Sequence, residues 1–104
     1  MKQKANLVSP VLNSLKKLGE DICDARKRRN ITMALLAERA GINVITLSKI
    51  ENGDPGTSIG GYASVLFSLG MIDRLSDIAD ASRDLTGQML VNERLPKRVR
   101  IKKK

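Results

Sequence analysis

Between Thr32 and Gly53 the chain places helix-starting and helix-stopping residues so closely that only two short helices fit. Thr32 is a good N-cap, and the run MALLAERA that follows offers Leu36, Ala37 and Ala40 to a core before Gly41 interrupts it. Asn43 then caps a second run, VITLSKIEN, in which Leu47 and Ile50 fall on the inward face before Gly53 ends it. The spacing predicts helices over about 33–40 and 44–52, joined by a tight turn at Gly41.

The flanking sequence extends the helical pattern. Residues 1–10 are polar and end in Ser9-Pro10, which reads as a loose arm. Val11, Leu15, Leu18, Ile22, Ala25 and Arg29 then recur at spacings of three and four, predicting an amphipathic helix over about 12–29. Gly19 within it costs about 1 kcal/mol relative to alanine, so the first turns are expected to fray or begin later. Asn30 tolerates the left-handed conformation that ends helices and serves as the stop. Beyond Gly53, the DPGT segment reads as a turn, and Thr57 or Ser58 caps a helix whose buried face is Ile59, Tyr62, Ala63, Leu66 and Leu69, ending at Gly70. A fifth helix is expected over about 71–80 from Ile72, Leu75, Ile78 and Ala79, with a weaker sixth over about 84–91. Every element is helical. The expected fold is therefore all-α, a compact bundle of about five helices occupying residues 11–92 of a 104-residue chain, followed by a tail over 93–104.

The net charge of +8 points toward nucleic acid, but its distribution weakens that argument for the folded part. Up to Asn92 there are 12 basic against 10 acidic residues, and from Glu93 onward 7 against 1. Most of the excess belongs to Arg94, Lys97, Arg98, Arg100, Lys102, Lys103 and Lys104. Such charge density opposes packing, so disorder is expected for this tail, although Val99 and Ile101 alternating with cations also suit a short edge strand. The tail's candidate roles are phosphate or minor-groove binding, partner binding, and simple solvation.

Other function classes find little support. Cys23 is the only cysteine and there is no histidine, so no internal disulfide can form and a metal site would depend on carboxylates alone. No catalytic acid, base or nucleophile is evident, and neither an enzyme nor a cofactor is expected. Gly60 and Gly61 lack the Lys-Ser or Lys-Thr that a phosphate loop requires, and they fall within a helix. No apolar run approaches the ~20 residues that span a bilayer, and Met1 to Ser9 lacks a signal-peptide core, so a cytoplasmic protein is expected.

Two short helices joined by a tight turn suit DNA, because the second can enter the ~12 Å major groove while the first lies across the backbone. The requirements are met by Ala37, small where the helices approach, by Gly41 at the turn, and by Ile42, Leu47 and Ile50 as anchors. This makes residues 32–53 a candidate helix-turn-helix.

The run TMALLAERAGINVITLSKIENG resembles the helix-turn-helix of the Xre family, which includes the phage Cro and cI repressors. The resemblance extends from about Leu18 to Gly70 and implies a lambda-repressor-like domain that binds double-stranded operator DNA. Carried over by position, base-contacting roles fall on Asn43, Val44, Ile45 and Lys49. Val44 and Ile45 can pack against thymine methyls, the alternative being extra core; Lys49 can donate to guanine and is the expected chief polar reader, the alternative being a solvated charge. Phosphate-contacting positions fall on Thr32, Met33, Thr46, Asn52, Thr57 and Ser58, although Thr32, Asn43 and Ser58 would be chosen as caps in any helical protein. Met33 stands where the family usually has glutamine, leaving backbone N–H groups to meet the phosphate there. Arg26 and Glu51 match a family pair that forms a structural ion pair.

Such proteins generally act as homodimers on paired half-sites. The stretch from Tyr62 to Met71, with Ile72, Leu75 and Ile78, is either the dimer surface or simply closure of the monomer core. ENGDPGTSIGGYASVLFSLGM with RDLTGQ and ERLPKRVRIKKK also looks like HipB-type antitoxins, which implies a HipA-like kinase toxin as partner and repression of a shared operon. The alternatives are a stand-alone phage-type or metabolic Xre repressor, and a protein-interaction module with a basic tail.

Overall fold

A computed structural model describes residues 6–94. The chain divides into two units, one ending at Ile72 and the other beginning at Asp73. The described residues contain six α-helices and no strand: α1 (Ser9–Arg28), α2 (Met33–Ala40), α3 (Val44–Glu51), α4 (Ile59–Ser68), α5 (Ile72–Ser76) and α6 (Leu85–Arg94). The fold is all-α, and the first unit is a compact bundle consistent with a lambda-repressor-like domain.

Local chemistry explains where the helices begin and end. Thr32 Oγ1 accepts from the Leu35 N–H at 3.1 Å, Asn43 Oδ1 from the Thr46 N–H at 2.7 Å, and Ser58 Oγ from the Gly61 N–H at 3.1 Å. Each supplies a partner to an N–H that its helix leaves free. The first four helices stop in one way. Asn30, Gly41, Gly53 and Gly70 take positive φ, and the residue after each donates its N–H back to a carbonyl five positions earlier, as Ile42 does to Ala37 at 3.0 Å. At Gly41, where φ is 72°, this reversal lets α3 leave at a sharp angle after only three residues.

In the first unit α1 packs on α3, α2 on both α3 and α4, and α3 on α4. Ile22, Ala25, Leu36, Ala37, Leu47, Ile50, Tyr62, Val65, Leu66 and Leu69 form the buried hydrophobic core. Each large aliphatic side chain removed from water there contributes about 1.5–3 kcal/mol. The Tyr62 hydroxyl also donates to the Asp54 carbonyl at 2.8 Å, tying α4 to the turn before it.

Several sequence expectations are corrected. α1 begins at Ser9, not near residue 12, because Pro10 fits the first turn of a helix, where its missing N–H leaves nothing unpaired. It runs unbroken through Gly19, which is buried. Val11 is 41% exposed, since its turn precedes Leu15 and Gly19, where α1 meets the end of α3. Arg29 is exposed, and its guanidinium donates to the Ala25 carbonyl. Ile59 is 72% exposed; the position in the first turn of α4 that faces Ile50 is Gly61. Val65, which the helical count passed over, is fully buried.

In the second unit the described residues bury no side chain, so the buried core comes from α1 to α4 and Leu69, with no contribution from a fifth helix. α5 ends at Ser76, and Ile78 and Ala79 are exposed. Asp80 redirects the chain into a 3₁₀ turn at Ala81–Arg83 by accepting from the Ser82 N–H and hydroxyl, bonds that also hold its carboxyl below the usual range. Asp84 accepts from the Gly87 N–H at the start of α6. Of the basic tail only Arg94 lies within the described residues.

Candidate nucleic-acid interface

The turn between α2 and α3 is three residues long: Gly41, Ile42 and Asn43. Half-buried Ile42 closes the α2 stop, and Asn43 opens α3. With Leu47 and Ile50 fully buried, the rotation of α3 is fixed, and Val44, Ile45 and Lys49 fall on its outward side. Val44 is 44% exposed and Ile45 69% exposed, so neither serves as core. Lys49 is exposed and makes no ion pair among the described residues. Ser48 between them is half-buried. The outward surface of α3 thus carries two apolar side chains at its leading end and, a turn later, a cation unpaired among the described residues.

The angle of α3 is secured from α1: Arg26 Nε donates to Glu51 Oε2 at 2.8 Å and Nη2 to Glu51 Oε1 at 3.2 Å. Arg26 Nη1 donates to the Ile31 carbonyl at 3.1 Å, and Nη2 also approaches Cys23 Sγ. Both charged side chains are largely buried, at 11% and 8% exposure. The hydrogen bond to Glu51 raises the Arg26 pKa, opposed by desolvation, so the guanidinium stays charged. One side chain therefore holds the end of α1, the turn into α2 and the end of α3.

The remaining site residues divide by how much hydrogen-bonding capacity they retain. Thr32 and Ser58 accept from backbone through their hydroxyl oxygens and keep the O–H to donate. Asn43 has committed its side-chain oxygen and keeps its NH₂. Asn52 is exposed at the end of α3, and Thr46 is half-buried in its first turn. The Thr57 hydroxyl donates to Asp54 Oδ2 at 2.8 Å, which leaves a carboxylate beside it and removes the proton a phosphate would need. Met33 is half-buried and offers no side-chain donor.

Sequence reasoning passed over Lys27 and Arg28, exposed cations in the last turn of α1 that make no ion pair among the described residues. The contiguous KRR run was their signal. Among the described residues there is no group of three metal-ligating side chains, and no helix is long and apolar enough to cross a membrane.

No curated protein and no solved structure matches the chain. Residues 24–60 match the helix-turn-helix family model, a span running from the last turn of α1 into the start of α4 and enclosing the whole α2–turn–α3 unit. That match, on this geometry, supports a DNA-binding transcriptional regulator of the Xre type.

Proposed function

We propose that this chain is a sequence-specific repressor that binds double-stranded operator DNA as a homodimer, with α3 in the major groove. The observation that carries the reading is the outward surface of α3: Val44, Ile45 and Lys49 project from a helix whose pose is fixed by buried Leu47, Ile50 and the Arg26–Glu51 pair. Lys49 is the chief polar reader, and Asn43, Val44 and Ile45 meet the neighbouring bases. Thr32, the backbone at Met33, Thr46, Asn52 and Ser58 set the register on phosphates, whereas the Thr57 hydroxyl is committed to Asp54. Two half-sites about one helical turn apart account for the dimer.

Within this reading the chain is the antitoxin of a two-gene operon, acting in the cytoplasm on the nucleoid, binding a HipA-like kinase and repressing its own transcription. The support for that narrower role is the sequence resemblance over residues 51–71 and the basic tail. Titrating the full chain against the duplex upstream of its own gene and against a scrambled duplex, at physiological salt, tests the main proposal. Preference for its own promoter is expected; equal affinity overturns sequence-specific repression. Co-purification with the product of a neighbouring kinase gene tests the narrower role, and failure to associate with that product overturns it.

A further inference from the structure

The two most exposed side chains in the first turn of α3 are Val44 and Ile45, and neither belongs to the buried core. The inward face of that helix is complete with Leu47 and Ile50. Both exposed residues are β-branched and stiff at χ1, so seating them against a ligand orders little that was free. Their polar neighbours are limited. Asn43 Oδ1 already accepts from the Thr46 N–H, so a two-point pairing with adenine, which needs the carboxamide oxygen as well as the nitrogen, would have to share that oxygen with the cap of α3. Lys49 lies more than one turn further along.

In the major groove the apolar group on a base edge is the C5-methyl of thymine. Cytosine and uracil have hydrogen at that position, and 5-methylcytosine carries the same methyl. Telling thymine from 5-methylcytosine requires a partner for the thymine O4 acceptor or the cytosine N4 donor, which neither Val44 nor Ile45 supplies. We infer that Val44 and Ile45 make α3 a reader of pyrimidine C5-methyl groups. At the steps they face, thymine and 5-methylcytosine are favoured over uracil and cytosine, so the protein responds to cytosine methylation of its site. This rests on the DNA-binding reading above and adds the chemical group recognised.

The test uses the full chain and duplexes selected from a randomised pool. Each thymine of the selected site is replaced singly by uracil, which removes the methyl and keeps the base pair. At sensitive positions cytosine is then compared with 5-methylcytosine. Burying one methyl predicts about a fourfold loss of affinity per uracil and a gain of similar size from 5-methylcytosine over cytosine. Val44→Ala and Ile45→Ala, at exposed positions, should retain the thermal unfolding of the parent and lose these differences. A selected site at which no thymine responds to uracil overturns the inference while leaving sequence-specific binding intact. Methyl sensitivity unchanged in both variants overturns it as well. A pool that yields no preferred sequence overturns the sequence-specific reading above and this inference with it.

Discussion

Gly19 of α1 lies directly against Gly53, the residue that ends α3. A Cβ built on Gly19 would fall 2.7 Å from the Gly53 nitrogen and 2.6 Å from the Ile50 carbonyl oxygen, and one built on Gly53 would fall 2.6 Å from the Leu15 carbonyl oxygen. Neither backbone leaves room for a side chain. The crossing of α1 over the end of the helix-turn-helix is set by this pair.

Gly19→Ala should therefore destabilise the protein. In an exposed helix the change would gain about 1 kcal/mol. Here overpacking against backbone is expected to reverse the sign and cost about 3 kcal/mol. Urea unfolding followed by circular dichroism measures it, and a raised midpoint would show that the helices separate easily at this point.

The Arg26–Glu51 pair predicts strong coupling. Glu51→Leu alone leaves a charged guanidinium largely buried and should cost about 3–5 kcal/mol. Adding Arg26→Met should recover much of that loss, because no unpaired charge then remains. Additive losses in a double-mutant cycle would contradict the coupling.

Lys49→Ala should cost roughly 1–3 kcal/mol on the selected operator and relax the preference at one base position, with the unfolding midpoint unchanged. A binding profile identical to that of the parent would remove Lys49 from the readout.

Burial, reinforced by the Asp54 carboxylate, raises the Tyr62 pKa above its ordinary value. The folded chain thus holds the hydroxyl proton more tightly than the unfolded chain. The stability this contributes is complete below about pH 10 and is lost as pH rises through the higher folded-state value. Tyr62 is the only tyrosine, so its absorbance titration reports this one group. Tyr62→Phe should abolish this part of the alkaline loss and cost about 1 kcal/mol at neutral pH for the missing hydrogen bond. Titration at the ordinary tyrosine value would refute the shift.

Deleting residues 97–104 should weaken binding to specific and scrambled duplexes alike and flatten the salt dependence of both. An unaltered salt slope would assign those cations to something other than DNA.

The legibility of this chain followed the range of the interactions involved. Caps and stops act within four or five residues, so Thr32, Asn43, Ser58, Asn30, Gly41 and Gly53 could be read directly, and with them α2 and α3. Gly19 was read as a weakness because its partner lies 34 positions away in sequence, and no local pattern signals a close backbone approach. Ile59 and Val65 exchanged burial because helical spacing identifies a face without showing where the neighbouring helix meets it. At the site, Lys49, Val44 and Ile45 were legible as outward positions once Leu47 and Ile50 had been placed inward. The engagement of Thr57 with Asp54 was not, since either residue alone reads as ordinary turn chemistry.

Arg26 grips the Ile31 carbonyl and the Glu51 carboxylate at once, so α3 is already oriented in the free chain. On the proposed DNA-binding reading, association is then rigid-body docking, without a folding step to slow it. Encounter is governed by diffusion and long-range charge attraction, and selectivity among sites resides in how long each complex survives.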